Sequence, residues 1–134
     1  MNGYINGTYL FSLSDYPTDW WTSLQFIGGT VVFFAGFSIN KQADRKLRNF
    51  KKEAGGKYVI PEGGMFKYVS CPHYLGEILE WTGWAILTWS LPGLAFALFT
   101  FANLAPRAWS HHQWYKSHFS NYPVTRKALL PFIW

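Results

Sequence analysis

The feature that most constrains this chain is an abrupt change of character at residue 40. Residues 23–39, SLQFIGGTVVFFAGFSI, carry no charge. Seven of the twelve Lys and Arg then fall within positions 41–57 (Lys41, Arg45, Lys46, Arg48, Lys51, Lys52 and Lys57), offset there only by Asp44 and Glu53. With Trp20 and Trp21 in front of it, the uncharged run approaches the ~20 residues that a helix needs to span a bilayer. Trp favours the membrane–water boundary, where its ring is half buried and its N–H stays wet. A basic run directly after an apolar one is the usual mark of the cytoplasmic side. Gly28, Gly29 and Gly36 would let a second helix approach closely. A buried helix of a soluble protein is the alternative.

Composition points the same way. The chain has 134 residues, enough for one domain spanning residues 1–134. Aromatic residues make up 21% and charged residues 14%, against about 25% charged in an average soluble domain. A mean hydropathy of −0.03 argues against a chain made only of lipid-facing helices. The expectation is an all-α integral membrane bundle with about three transmembrane or membrane-embedded helices and substantial polar segments, in contact with membrane lipids. The basic run suits acidic lipid headgroups or a phosphorylated ligand. Nucleic acid is not the expected partner, because no zinc or RNA-recognition motif accompanies the run and most aromatics lie in apolar stretches. Cys71 is the only cysteine, so no internal disulfide forms. The first twenty residues show no secretory signal pattern, and Asn6-Gly7-Thr8 matches a glycosylation sequon.

Turn dipeptides Asn2-Gly3 and Asn6-Gly7 predict a loop or interfacial segment over residues 1–22, with Asp19 or Thr22 capping the next helix. That helix is predicted to run from the uncharged stretch into the basic one, as far as Lys52, and to break at Gly55-Gly56. Residues 57–67, with Pro61 and Gly63-Gly64, read as a loop with a short hairpin. Pro72 suits the first turn of another helix, where its missing N–H costs nothing. Leu91-Pro92-Gly93 interrupts the apolar run and predicts a tight break over 90–93, followed by a further helix to about His118; one kinked span is the alternative. The tail is basic at Arg126 and Lys127 and ends apolar.

Three constellations carry possible chemistry. Asn40, Asp44 and Arg48, spaced by four, share a helix face with Lys51 near by. Asp44 can accept from a hydroxyl or amide, and Arg48 and Lys51 can meet phosphate oxygens; a solvated face with local salt bridges is the alternative. Tyr74, Glu77 and Trp81 fall on one face, and Glu77 and Glu80 enter an apolar helix, which makes them functional suspects or members of a structural ion pair. Asn103, Arg107, His111 and Tyr115 step by four along a third helix. Arg107 follows a long uncharged run and needs an anionic partner, a diphosphate or one of Glu77 and Glu80. No metal site is expected, since His111 and His112 point about 100° apart on a helix. There is no Rossmann or Walker glycine loop and no nucleophile elbow, so a nucleotide would bind between helices. No catalytic residue is assigned.

The stretch from Tyr58 to the C-terminus resembles the C-terminal part of the steroid 5α-reductases. The most specific pieces are Ile60-Pro61 with Gly63-Gly64, the block from Gly76-Glu77 to Glu80-Trp81, and Arg107-Ala108 followed by His111-His112 and Trp114-Tyr115. The run from Asn2-Gly3-Tyr4 through Ile39-Asn40 is also similar to that family. The resemblance implies a multi-helix membrane reductase, of the endoplasmic reticulum in a eukaryote or the cell membrane in a bacterium. Such an enzyme transfers hydride from NADPH to the β-carbon of an enone, typically a 3-oxo-Δ4 steroid. It implies NADPH contacts at Asn40, Asp44, Arg107, His111 and Tyr115, with Tyr74 and Glu77 bordering the nucleotide.

There are departures from the family pattern. Lys51 stands where mammalian members carry an arginine near the nucleotide phosphates, Val59 replaces a basic residue of at least one member, and His73 stands where Asn is usual. Full members also carry an N-terminal half, with the Glu and Tyr thought to polarise the substrate carbonyl, that this stretch does not contain. The expected role is therefore to supply mainly the NADPH-binding part. A related membrane sterol reductase, an isoprenylcysteine-type methyltransferase and a truncated non-enzymatic membrane fragment stay open as alternatives.

Overall fold

The computed structural model describes residues 2–134. Its frame is three long helices: α2 (Leu24–Glu53), α3 (Pro72–Thr88) and α4 (Leu91–His118), preceded by a short α1 (Asn2–Thr8) that runs into a π-helical turn (Tyr9–Leu13). Among the described residues there is no strand, only an isolated parallel bridge between Val69 and Lys127. The architecture is all-α, as the periodicity predicts. No helix among the described residues is long and apolar enough to cross a membrane.

Helix α2 is one piece from the uncharged stretch through the basic one. Its start is set by Ser23, whose Oγ accepts from the Phe26 N–H at 3.1 Å. The cap is thus neither Asp19 nor Thr22. Both sit in a short 3-10 region (Thr22 within it, Asp19 as its N-cap), where the Thr22 hydroxyl donates to the Asp19 carbonyl. Gly55 and Gly56, at φ +62° and +85°, end the helix in the left-handed region that glycine adopts without steric cost. The predicted hairpin over 57–67 does not form; a 3-10 turn (Gly64–Lys67) takes its place.

Helix α3 returns antiparallel along α2. Gly29 of α2 lies against Leu87, Gly36 against Gly76 and Glu80, and Gly83 against Phe33 and Gly29. Each helix therefore contributes two glycines seven residues apart, two turns of helix, and the backbones meet directly. Any Cβ on this seam would run into backbone atoms of the partner helix.

The α3–α4 break is sharp. Trp89 takes the left-handed conformation (φ 45°), and Ser90 caps α4 by accepting from the Gly93 N–H at 3.1 Å. The last carbonyls of α3 lack helical partners. The N-terminal segment supplies them: Trp20 Nε1 donates to the Leu87 carbonyl at 3.2 Å, and the Tyr16 hydroxyl donates to that of Thr88. Asn6 of α1 accepts from Trp84 Nε1 at 3.3 Å. Residues 1–22 are therefore not the loop expected from their turn dipeptides. Residues 2–13 are helical and held on α3 by the Asn6–Trp84 hydrogen bond, and Tyr16 and Trp20 satisfy the carbonyls at α3's end.

At the other end, the tail folds back beside residues 68–71. Ser70 N donates to the Lys127 carbonyl and Lys127 N to the Tyr68 carbonyl, both at 2.8 Å. This carries Leu129 into full burial with Cys71, Leu75, Ala105 and Ala108. That cluster sits directly under the candidate site.

Candidate functional site

A cavity of about 220 Å³ opens where the basic half of α2, the 56–61 loop and the ends of α3 and α4 converge. Its walls include Lys51 from α2, Lys57 and Tyr58 from the loop, Ser70, His73 and Tyr74 at the start of α3, and His111 and Tyr115 from α4. A shallower hollow of about 360 Å³ shares Tyr58, His111 and Tyr115 with it and adds Ser110 and Trp114. A larger groove, about 670 Å³, lies elsewhere along α3 and α4. It is lined mostly by apolar side chains such as Ile78, Ile86, Leu94 and Phe101, with Tyr9 its only titratable group. The first cavity and the hollow beside it bring together basic, imidazole and phenol groups that this groove does not have.

Four of the sequence-predicted residues, Lys51, Tyr74, His111 and Tyr115, meet in that cavity. Asn40 stands behind its wall: its Nδ2 donates to the His73 carbonyl at 3.0 Å. Asp44 is close enough for its charge to act on the His73 ring. Arg107 and Glu77 both act on the Tyr74 hydroxyl, yet neither lines the cavity. Arg107 is exposed and forms no ion pair with Glu77 or Glu80. Arg48 is exposed and Asn103 donates to its own helix at Phe99. The reason is helix geometry. A step of four residues is 400°, so each rung drifts about 40°. Over three rungs the Asn103 ladder turns about 120°, bringing Tyr115 into the core while Arg107 stays exposed and outside the cavity lining.

His73 is the residue the sequence reading undervalued. Its ring packs 4.2 Å from that of Tyr74, and its Nδ1 is buried with no hydrogen-bond partner. Burial holds the imidazole down to about 4, with His111 adding to the depression and Asp44 opposing it. At neutral pH it is an uncharged ring with an unused nitrogen in the cavity wall. Burial likewise pushes Cys71 and Tyr115 up to about 12, so the thiol is no nucleophile and the phenol keeps its proton.

A second polar group, also missed, holds the cavity floor. Ser70 Oγ shares hydrogen bonds of 2.6 Å with both His112 Nδ1 and the Tyr122 hydroxyl. Arg126, only 4% exposed, donates from Nη1 to the Tyr122 hydroxyl at 3.5 Å and lies over the Tyr122 ring. The Tyr122 hydroxyl accepts from Arg126, and Ser70 Oγ, which also reaches the Lys127 carbonyl at 3.2 Å, joins Tyr122 to His112, with either hydroxyl able to donate in the Ser70–Tyr122 bond. Burial, with Lys116, Arg126 and Lys127 near by, lowers the His112 pKa and leaves Nδ1 free to accept. Tyr122 in turn stacks on Tyr115, with ring centroids 5.4 Å apart at 14°. The only sequence signal was the basic pair Arg126 and Lys127 in a short tail that ends apolar.

The arrangement offers cations at the rim, neutral donors and acceptors inside, and aromatic faces along one side. Its lining carries neither a carboxylate pair nor an activated nucleophile. Comparison with known proteins gives this geometry its context. The family model described as 3-oxo-5-alpha-steroid 4-dehydrogenase matches residues 1–134. This chain belongs to that family. The chain is 47% identical over 132 residues to 3-oxo-5-alpha-steroid 4-dehydrogenase 2 of Sus scrofa, covering 98% of this chain and 52% of that protein. The Homo sapiens protein of the same name shows the same identity and coverage. A steroid 5-alpha-reductase of Arabidopsis thaliana is 48% identical over 139 residues, covering 100% of this chain and 52% of the relative. The chain spans about half the length of the curated relatives it matches, their C-terminal half.

Proposed function

We propose that residues 1–134 are the nucleotide-holding C-terminal domain of a membrane reductase that reduces the Δ4 double bond of 3-oxo steroids or similar lipid-like enones with NADPH. A complementary N-terminal half supplies the group that polarises the substrate carbonyl. The observation that carries the reading is the orphaned Nδ1 of His73, buried in the wall of a cavity whose rim holds Lys51 and Lys57. A buried polar atom without a partner costs about 1–3 kcal/mol, and a ligand group filling the cavity would satisfy it.

The residues present fit a dinucleotide phosphate. Lys51 and Lys57 provide point charges for phosphate oxygens, with Arg107 on the same side as further support. His111, Tyr74 and Tyr115 provide donors, and Tyr58 and Trp114 provide aromatic faces. Asn40 and Asp44 set the His73 backbone and ring, and Glu77 borders the site through Tyr74. When bound, NADPH supplies the hydride. The protein's part is to orient the cofactor and keep Tyr115 protonated by burial. Membrane placement, of the endoplasmic reticulum in a eukaryote or the cell membrane in a bacterium, belongs to the same proposal; the uncharged half of α2 and its Trp20–Trp21 flank support it.

The test is a fluorescence titration of the detergent-solubilised chain with NADPH, comparing wild type, His111→Ala and Lys51→Ala. Saturable binding weakened about tenfold or more in either variant is the expected result, since a hydrogen bond to a charged group contributes about 1.5–3 kcal/mol. Binding unaffected by both substitutions would remove this cavity as the nucleotide site. No binding even beside a relative's N-terminal half would overturn the cofactor assignment.

A further inference from the structure

Helix α2 has two sides with different fates. One side faces the protein: Gly29, Gly36 and Asn40 touch α3, Ala43 is buried, and Leu47 and Lys51 line the cavity. At 100° per residue, the opposite side carries Leu24, Ile27, Val31 and Phe34 in the first half of the helix. The same side carries Lys41, Arg45, Arg48 and Lys52 in the second half, again in steps of three and four. All eight are exposed, Leu24 and Val31 at 84% and 64%.

We infer that this outer face docks on a bilayer leaflet rich in anionic lipid, with Lys41, Arg45, Arg48 and Lys52 meeting the headgroups and Leu24, Ile27, Val31 and Phe34 reaching the acyl chains. The inference rests on the membrane placement proposed above and names the lipid chemistry that placement requires. Three observations carry it. None of the four cations forms an ion pair among the described residues, and like charges at four-residue spacing repel along a helix, so the stripe calls for an anionic partner from outside the chain. The apolar and basic halves form one surface, since the Lys41 ammonium lies 5.4 Å from the centre of the Phe37 ring. The order also matches the depth profile of a leaflet. From Leu24 to Ile39 the helix rises about 23 Å, so from the headgroups of one leaflet it reaches through that leaflet's half of the ~30 Å hydrocarbon core, and the first cation follows at once. The nucleotide cannot be this partner, because the cavity opens on the α3 side of α2. A protein partner, such as the other half of a full-length relative, has no reason to be apolar at one end of the stripe and acidic at the other.

The experiment measures partition of the full chain from neutral detergent micelles into phosphatidylcholine vesicles, and into vesicles in which part of the lipid is phosphatidylserine. Wild type is compared with the triple variant Lys41→Gln, Arg45→Gln, Lys52→Gln; Arg48 is left in place because it neighbours Asp44. Each cation near an anionic surface is expected to contribute about fivefold to partition. The variant should therefore lose on the order of 100-fold on phosphatidylserine vesicles and little on phosphatidylcholine alone. Raising the salt should reduce the wild-type preference in parallel, a readout that needs no variant and stands even if the variant folds poorly. Equal partition of wild type into both vesicles at low salt would overturn the inference. So would protection of these lysines from acetylation only when a relative's N-terminal half is co-expressed, which would show that protein covers the stripe. NADPH titration of the same samples keeps the two proposals apart. Lipid preference without nucleotide binding would sink the cofactor reading alone, and nucleotide binding without lipid preference would sink this one alone.

Discussion

The α2–α3 seam and the tail cradle under the cavity are both tightly closed, but by opposite means. On the seam, Gly29, Gly36, Gly76 and Gly83 bring backbone against backbone, and nothing polar from a side chain is involved until Asn40. In the cradle, backbone hydrogen bonds pair residues 68–71 with 127–128, and four polar side chains, Arg126, Tyr122, Ser70 and His112, tie that pair to α4. The first contact fails by overcrowding and the second by losing a partner. A change on the seam should therefore unfold the bundle, whereas a change in the cradle should loosen the site and leave the bundle standing.

The largest effect is expected on the seam. Gly36→Val places a branched side chain where even a Cβ would collide with the Gly76 and Glu80 backbone. Overpacking in a core that can adjust costs about 1–3 kcal/mol. Here the obstacle is backbone, so the loss should be at or above the top of that range. Thermal unfolding in detergent, followed by helical circular dichroism, checks it. A melting temperature within a degree or two of wild type would show that the helices do not cross so closely.

The next effect lies between the two regions, at His73. The unfolded imidazole titrates near 6.5 and the native one near about 4. Below 6.5 the unfolded state binds a proton that the native state refuses. Stability is thus fully present above 6.5 and is lost as pH falls from 6.5 towards 4, by on the order of 3 kcal/mol. Asp44 from α2 and His111 from α4 face the same ring, the first resisting this loss and the second adding to it. Denaturant unfolding at a series of pH values should show the decline in wild type and a flatter profile in His73→Asn. Parallel profiles would mean the ring is solvated or finds a partner for its proton.

These two cases also show what was legible in the sequence. The long helices, the stop at Gly55-Gly56 and Pro72 at a first turn follow from local chemistry and stand in the structure, while the break expected over 90–93 falls at Trp89 and Ser90, with Leu91, Pro92 and Gly93 already in α4. Gly29 and Gly36 announced close packing. Their counterparts Gly76 and Gly83 did not, because a glycine's partner lies on another helix. The site was half legible. Lys51, Tyr74, His111 and Tyr115 come together, while strict four-residue spacing placed Arg107 and Asn103 on a face that the helix has already turned away from the cavity. The role of Ser70 and Arg126 was hidden because it depends on the tail folding back across more than fifty residues, which no local pattern encodes. The N-terminal segment misled for the opposite reason. Its turn dipeptides are local signals, and they lost to hydrogen bonds made with the far end of α3.

The smallest effect sharpens the comparison most, because it separates fold from site. Ser70→Ala removes the hydroxyl that joins Tyr122 to His112 and leaves two buried polar groups short of a partner, a cost of about 1–3 kcal/mol if nothing else reaches them. The α2–α3 seam lies elsewhere and makes no use of Ser70, so helical content should be kept and the melting temperature should fall by less than in Gly36→Val. Tyr122, however, is stacked on Tyr115, and Ser70 itself lines the cavity. The loosened floor should appear as weaker NADPH binding, about fivefold to tenfold, and as faster hydrogen exchange at residues 126–129, whose backbone is tied to 68–71. Ser70→Thr, which restores a hydroxyl, should recover most of both. If Ser70→Ala instead lowered the melting temperature as far as Gly36→Val, the cradle and the seam would be a single cooperative core, and the division drawn between them would be wrong.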